Sequence, residues 1–329
     1  MTVDTLKEVV FSIKDEKMFR NLALEIFQYQ LRHNNLYASF CDKLGMDKHN
    51  IQTVEQIPFL PVEFFRDHSI LSSSKQAQLV FESSGTSSVQ TSKHLVVEPD
   101  MYIKSFLDAF KIFYGDPSDY CILALLPSYL ERKGSSLVFM IDRLIKLSKH
   151  PLSGFYLNNL QELKISLQHL RSENQGTILF GVSFALLDMA NKFPLHFPEL
   201  TIIETGGMKG RRREMVREEL HTHLKKGFGV EKIHSEYGMT ELLSQAYSQG
   251  DGIFRSPPWM KILIRDINDP LTLLGQGRTG GINVIDLANM FSCSFIETKD
   301  LGKRYSDHSF EVLGRFDQSD IRGCNLMVV

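Results

Sequence analysis

The 329-residue sequence lacks several features that would point to common classes of partner. Lys and Arg number 37 against 39 Asp and Glu, so the formal net charge of -2 gives no overall basic field for sequence-independent nucleic-acid binding. No stretch is long and apolar enough to cross a bilayer. The N-terminus, MTVDTLKEVVFSIKDEK, lacks the pattern of a signal peptide. We therefore expect a cytoplasmic protein with no membrane span and no nucleic-acid partner.

Cysteine is also scarce, and its spacing is not that of metal ligands. Of the four cysteines, Cys41, Cys121 and Cys293 have apolar neighbours, which predicts that they are free thiols in the core. Cys324, in IRGCNLMVV, follows Arg322 near the chain end and needs a separate explanation.

The apolar pattern that is present predicts an α/β fold. Residues 1–75 contain an amphipathic helix and are expected to form a helical cap packed on the main body. Its apolar face would carry Phe19, Leu22, Ala23, Ile26, Phe27 and Leu31. Further on, strand-like runs such as TILFGVS alternate with helical runs such as FALLDMANKF, which is typical of a mostly parallel sheet flanked by helices. Beyond Tyr237 short strands with few helices predict a second, smaller sheet or barrel.

A Ser-rich segment, FESSGTSSVQTSK, is the first candidate for chemistry. Glycine lets the backbone approach an anion, and hydroxyls with successive N–H groups can hold phosphate oxygens. The segment lacks the Gly-Lys-Ser/Thr ending of a Walker loop. Composition alone favours an ordinary surface loop over a triphosphate cradle.

The second candidate is HSEYGMTE. A strand from Lys232 would end at a run whose residue types suit a nucleotide: an aromatic face, a hydroxyl and a carboxylate for Mg²⁺. The run comprises Tyr237, Gly238, Met239, Thr240 and Glu241. Taken alone, a tyrosine such as Tyr237 is more often a core aromatic than a platform for a base.

The order of SSGTSS and YGMTE resembles the phosphate-loop and adenine-site motifs of the adenylate-forming superfamily of acyl-CoA ligases, luciferases and peptide-synthetase adenylation domains. TKDLG, with Asp300, and LGRFDQSDIRG, with Arg315, resemble that superfamily's ribose-binding segment and hinge. Gly206 and Gly207 fall where its backbone lines the adenine pocket. The likeness is closest to LuxE-type acyl-protein synthetases and more distant to phenylacetate-CoA ligases. It extends over IPFLPVEFF, LLPSYLERKGSSLV, ETGGMKGRRRE, EYGMTELLSQAY and LGRFDQSDIRGCNL.

This resemblance implies an adenylate-forming large domain without the mobile C-terminal domain of ordinary ligases. Residues 76–308 would be the adenylation core, and residues 309–329 a hinge-like segment and a tail that carries Cys324. The residues that would hold phosphate are Thr240, Ser83, Ser84, Gly85, Thr86 and Lys93. Those that would line the base are Gly206, Gly207, Tyr237, Gly238 and Met239. Asp300 and Arg315 would bind the ribose, and Glu241 would bind the metal. Two departures are Ser88, where a second glycine is usual, and Lys93, which is displaced from its usual place.

The implied activity begins with attack of a fatty or related carboxylate on Mg²⁺-ATP to form an acyl-adenylate. Cys324, Thr240 and Glu241 are the expected catalytic residues, and Cys324 would take the acyl group as a thioester for delivery to an acyl-CoA reductase-like partner. A thiolate attacks a mixed anhydride effectively, and Arg322 would favour the thiolate. In one alternative, CoA or a carrier-protein thiol accepts the acyl group; in another, the chain is a non-catalytic nucleotide- or acyl-binding subunit. Oligomeric state and acyl chain length stay open.

Overall fold

The computed structural model describes residues 1–46, 50–83, 91–126, 134–157, 159–206 and 215–316. Within these ranges the helices are α1 (Val3–Val10), α2 (Glu16–His33), α3 (Asn35–Lys43), α4 (Phe64–Asp67), α5 (Pro99–Tyr114), α6 (Ser136–Ser148), α7 (Leu160–Ser172), α8 (Ser183–Lys192) and α9 (Arg217–Phe228). The strands are β1 (Leu60–Pro61), β2 (Leu79–Glu82), β3 (Lys93–Val96), β4 (Cys121–Leu125), β5 (Gly154–Phe155), β6 (Thr177–Val182), β7 (Thr201–Thr205), β8 (His234–Tyr237), β9 (Ala246–Ser248), β10 (Ile253–Arg255), β11 (Met260–Arg265), β12 (Thr279–Asp286), β13 (Phe295–Arg304) and β14 (Phe310–Arg315).

The chain forms two compact units. The first, here called the terminal unit, combines Met1–Ser72 with Pro258–Val329, and the second, the central unit, comprises Ser73–Pro257. The central unit is therefore inserted in the sequence of the terminal unit.

The helices of the terminal unit begin at side chains that cap them. The side-chain oxygens of Thr2, Asp15 and Asn34 accept backbone N–H groups in the first turns of α1, α2 and α3, which would otherwise lack partners. The predicted apolar face of α2 is buried at Phe19, Leu22, Ala23, Ile26 and Phe27. The same helix is anchored by Gln30, whose amide donates to Met290 O at 3.0 Å and accepts from Ser294 N at 3.1 Å.

The strands of the terminal unit pair antiparallel in the order β11, β12, β13, β14, and β1 runs parallel to β13. The expected change to strands with few helices beyond Tyr237 is confirmed in the described residues, but β12 and β13 are longer than expected, with 8 and 10 residues. The register sets Asp300 directly opposite Arg315.

The central unit contains a parallel sheet in the order β5, β4, β6, β7, β8, which continues through antiparallel β9 and β10. Every residue of β4 and β6 is buried, as expected for parallel strands covered on both faces. The α/β prediction is thereby confirmed. A smaller antiparallel sheet of β2 and β3 belongs to the same unit. In the described residues, no helix is both apolar enough and long enough to span a membrane.

Candidate functional site

The carboxyl ends of β7 and β8 bring two of the predicted segments side by side. These parallel strands pair Glu204 with Ser235, so Thr205 and Glu236 follow at the same edge of the sheet. The Thr205 hydroxyl donates to Glu236 Oε2 at 2.5 Å. Gly206 thus emerges beside the Tyr-Gly-Met-Thr-Glu run, at the edge where open α/β sheets bind ligands.

Glu236 was missed by sequence reasoning, although it directly precedes Tyr237. Burial, together with the charge of Glu204, raises the pKa of the Glu236 carboxyl from the ordinary 4.5 to about 7. The hydrogen bond from Thr205 acts in the opposite direction and offsets part of this rise. A Cβ atom on Gly238 would lie 2.5 Å from Glu236 Oε1. Glycine at position 238 therefore makes room for this carboxyl group.

Glu204 forms a buried polar network beneath Gly206. The Ser183 hydroxyl lies 2.9 Å from Glu204 Oε2 and 2.7 Å from the carbonyl oxygen of Gly206. Burial alone would raise the pKa of Glu204, but the imidazole of His221 and the charge of Arg217 outweigh burial and lower it. The His221 Nε2 and Arg217 Nε atoms lie 3.7 and 4.0 Å from Oε1. The Ser183 hydroxyl, which has one proton to donate, thus links Gly206 O to this network.

Ser83 and Lys93 lie at the ends of β2 and β3, on either side of residues 84–90. Ser83 N donates to Ser92 O at 3.0 Å, and Ser92 N donates to Ser83 Oγ at 2.9 Å. The hydroxyl oxygen of Ser83 is thus partly used within its own segment. Lys93 is exposed, with its ammonium 3.8 Å from a carboxylate oxygen of Glu82 on the opposite strand.

A histidine connects the β2–β3 segment to the run after β8. His94 is 1% exposed, and its Nδ1 lies 2.8 Å from Thr240 O. The structure thereby brings the base of the Ser-rich segment and the Thr240 turn together within one unit. His94 was not among the residues predicted from the sequence. Its inward-facing position on a short strand, next to Lys93, was the feature that could have indicated it.

Within the Tyr-Gly-Met-Thr-Glu run, Tyr237 and Glu241 are buried, at 8% and 6% exposure. The Tyr237 ring packs edge-on against Phe254 with centroids 6.1 Å apart. Met239 O accepts from Leu242 N at 3.1 Å, which closes a turn around Thr240. The predicted roles of these residues toward a base and a metal stay predictions.

Asp300 and Arg315, both expected at the ribose, contact each other on β13 and β14. Arg315 Nε donates to Asp300 Oδ1 at 3.0 Å. The Asp300 side chain is 7% exposed, whereas that of Arg315 is 77% exposed. Asp300 N also donates to the Thr298 hydroxyl at 3.1 Å. The terminal unit therefore presents a buried carboxylate held by an exposed guanidinium.

Five predicted site residues lie outside the described ranges: Ser84, Gly85, Thr86, Gly207 and Cys324. The other three cysteines are buried free thiols, which confirms their predicted place in the core. Burial raises the pKa of Cys121 to about 11 and that of Cys293 to about 12, so neither is an accessible thiolate.

Magnesium was expected at Glu241. The described residues contain no group of three or more His, Cys, Asp or Glu side chains that could hold a metal ion. A single carboxylate is nonetheless compatible with Mg²⁺, which keeps several waters and takes its other oxygens from substrate phosphates. Glu241 follows directly after Thr240, whose backbone is held by His94, and its role toward the metal stays a prediction.

Two solved structures illustrate which known proteins share this fold. ATP-bound MatB from Rhodopseudomonas palustris superposes with a TM-score of 0.56 at 16% identity, over 74% of this chain and 48% of that one. A 2-hydroxyisobutyryl-CoA ligase with 2-HIB-AMP and CoA gives 0.65 at 12% identity, over 93% and 72%. The chain thus spans about half the length of MatB. No curated protein matches it in sequence.

The fold is therefore that of the adenylate-forming ligases. Residues 8–107 match the family model described as "Acyl-protein synthetase, LuxE". The resemblance to LuxE-type acyl-protein synthetases that the sequence motifs carry is confirmed.

Proposed function

We propose that this protein activates a fatty or related carboxylic acid with ATP, as an AMP-forming acyl-protein synthetase. The observation that carries the proposal is the hydrogen bond between His94 and Thr240 O, at 2.8 Å, which joins the two segments that the family resemblance assigns to phosphate binding. The match of residues 8–107 to the LuxE model supports the same activity.

In the first step, a carboxylate oxygen of the acid attacks the α-phosphorus of ATP, the bond from that phosphorus to the bridging oxygen breaks, and pyrophosphate leaves. The protein mainly positions and neutralises the phosphates. Bound Mg²⁺ would supply further charge neutralisation at the phosphate oxygens. Ser83, Lys93 and Thr240, with the Ser84, Gly85 and Thr86 segment, would orient the phosphates, and Glu241 would hold the metal.

The other predicted residues would orient the nucleoside. Gly206, Gly207, Tyr237, Gly238 and Met239 would line the base. Asp300 accepts from Arg315 at 3.0 Å, and its carboxylate is suited to accept hydrogen bonds from ribose hydroxyls. We assign these two residues to the ribose.

In the second step, the Cys324 thiolate attacks the acyl carbon, the bond from that carbon to the phosphate oxygen breaks, and AMP leaves. Two of the other cysteines are buried thiols with raised pKa values, which supports Cys324 as the acceptor. The thioester would then pass to an acyl-accepting protein such as an acyl-CoA reductase-like subunit.

The test is intact-protein mass spectrometry after incubation with Mg²⁺-ATP and a panel of carboxylic acids, alongside ATP–pyrophosphate exchange. We expect acid-dependent exchange and an acyl adduct that hydroxylamine removes. Cys324→Ser should lose the adduct and keep the exchange. Cys41→Ser, which alters a buried thiol, is the matched control and should keep both. Absence of exchange with every acid would overturn the proposed activity.

A second candidate function is an acyl-CoA or carrier-protein ligase. It is favoured by the fold shared with 2-hydroxyisobutyryl-CoA ligase, whose thioesterification-state structure covers 97% of this chain. Turnover of free CoA by a protein that never becomes acylated would select this alternative.

A further inference from the structure

His94 is a buried polar side chain at a structural junction. It lies on β3 directly opposite Phe81 of β2, and it is 1% exposed. Its neighbour on the same face, Val96, is 3% exposed, so this face of β3 belongs to the core of the central unit. A histidine in such a place costs free energy unless its ring nitrogens find partners.

The partner of Nδ1 is the carbonyl oxygen of Thr240, at 2.8 Å. A carbonyl oxygen only accepts hydrogen bonds, so Nδ1 must carry the proton and donate. The bond spans 146 residues of sequence and fixes the backbone of the turn that presents the Thr240 side chain.

The other end of this connection is also held firmly. Phe81 packs edge-on against Tyr102 and Phe139, with ring centroids 5.2 and 5.7 Å apart. Just beyond Phe81, the paired Ser83 and Ser92 backbones bring together the two ends of the segment that contains residues 84–90. The core holds β2 and β3 in place, and the bond from His94 therefore fixes the Thr240 turn relative to these two strands.

We propose that His94 is a positioning residue for catalysis, which holds the Thr240 turn in place relative to Ser83 and Lys93 so that all three can act on one triphosphate. This role rests on the proposed ATP-dependent activation. A misplacement of about 1 Å at a reacting group costs on the order of 100-fold in rate, whereas the same shift in a loop with no such function costs little activity.

The test compares two substitutions of the full-length chain in ATP–pyrophosphate exchange. His94→Leu keeps the bulk and removes the donor, and we expect kcat/KM for ATP to fall about 10- to 100-fold. KM for the carboxylic acid should change less than about threefold. His94→Asn places an amide N–H near the Nδ1 position and should restore most of the lost kcat/KM.

Val96→Ala is the matched control, because it creates a small cavity on the same face of the same strand without touching the bond to Thr240. It should lower the urea midpoint and leave the kinetic constants near those of the wild type. If His94→Leu loses activity only in proportion to its loss of folded protein, or if Asn gives no rescue, the positioning role is wrong. Absence of exchange in the wild type would instead overturn the proposed function, and this role with it.

Discussion

Glu236 and Glu204 place two carboxyl groups on adjacent strands beneath the candidate site. Their surroundings differ: His221 and Arg217 favour the charged form of Glu204, whereas burial favours the protonated form of Glu236. Because only one of the pair needs to be ionised below about pH 7, the two side chains can lie close to each other at the same edge of the sheet.

This difference predicts a pH-dependent contribution to stability. The pKa of Glu236 is about 7 in the folded protein, above its ordinary 4.5, so the folded chain binds a proton that the unfolded chain releases between these values. The stabilisation is complete below about pH 4.5 and is lost as the pH rises through 7. Relative to Glu236→Gln, the wild type should lose on the order of 3 kcal/mol of unfolding free energy as the pH rises from below 4.5 to above 7, measured by urea titration at several pH values.

The exposed Glu231 supplies the control for this measurement. Glu231→Gln should follow the wild-type pH curve, because this side chain lies on the surface of the same unit. Parallel curves for Glu236→Gln and the wild type would contradict the proposed protonation of Glu236.

Asp300 supports a prediction about the ribose. Asp300→Asn removes the charge that accepts from Arg315 while it keeps the size of the side chain. If the carboxylate binds the ribose hydroxyls, KM for ATP in pyrophosphate exchange should rise about 10-fold or more, since hydrogen bonds to charged groups contribute about 1.5–3 kcal/mol. Asp307→Asn, in the turn before β14, changes a carboxylate that bonds Ser309 and should leave KM for ATP unchanged. Equal KM values for both variants would refute the ribose assignment.

At the scale of elements, apolar periodicity predicted much of the central unit. TILFGVS became β6 and FALLDMANKF became α8, because continuous apolar runs suit strands covered on both faces and helical spacing suits an amphipathic helix. The contacts between elements were not predictable in this way. Thr205 meets Glu236 across 31 residues and His94 meets Thr240 across 146, and both contacts depend on strand order and register rather than on local pattern.

Helix α9 provides a prediction in which packing opposes helix propensity. Gly227 lies inside α9, where alanine is normally more stable than glycine by about 1 kcal/mol. A Cβ atom at position 227 would, however, lie 2.5 Å from the Cβ of Ala190 on α8. Gly227→Ala should therefore destabilise the protein by about 1–3 kcal/mol in urea unfolding.

The double variant Gly227→Ala, Ala190→Gly tests the cause of that loss. It removes the clashing methyl group, but the Cα and carbonyl oxygen of Ala190 would still lie 3.0 and 3.2 Å from the new Cβ, so only part of the stability should return. A stabilising effect of Gly227→Ala alone would show that α8 and α9 separate at little cost.

At the scale of the whole molecule, the terminal unit depends on both ends of the sequence. Gln30 bonds Met290 and Ser294, and the Asn34 amide donates to Ser292 O at 3.2 Å. Ser72 N donates to Phe291 O at 2.7 Å. These buried polar groups of the first 72 residues all have partners in the segment after residue 258, and each would lose such a partner without it.

Residues 1–72 alone should consequently fail to fold, with little amide dispersion in NMR spectra and no cooperative urea transition. The same residues joined to 258–329 by a Gly/Ser linker should regain both. The ends to be joined lie near one segment, since Ser72 N donates to Phe291 O and Leu287 N donates to Trp259 O. A linker of about 12 residues, which can extend to roughly 40 Å, is therefore ample. In the joined protein Gln30→Ala should lower the urea midpoint, because it leaves Ser294 N and Met290 O without their buried partner. A cooperative transition in residues 1–72 alone would instead show that the N-terminal helices are an independent domain.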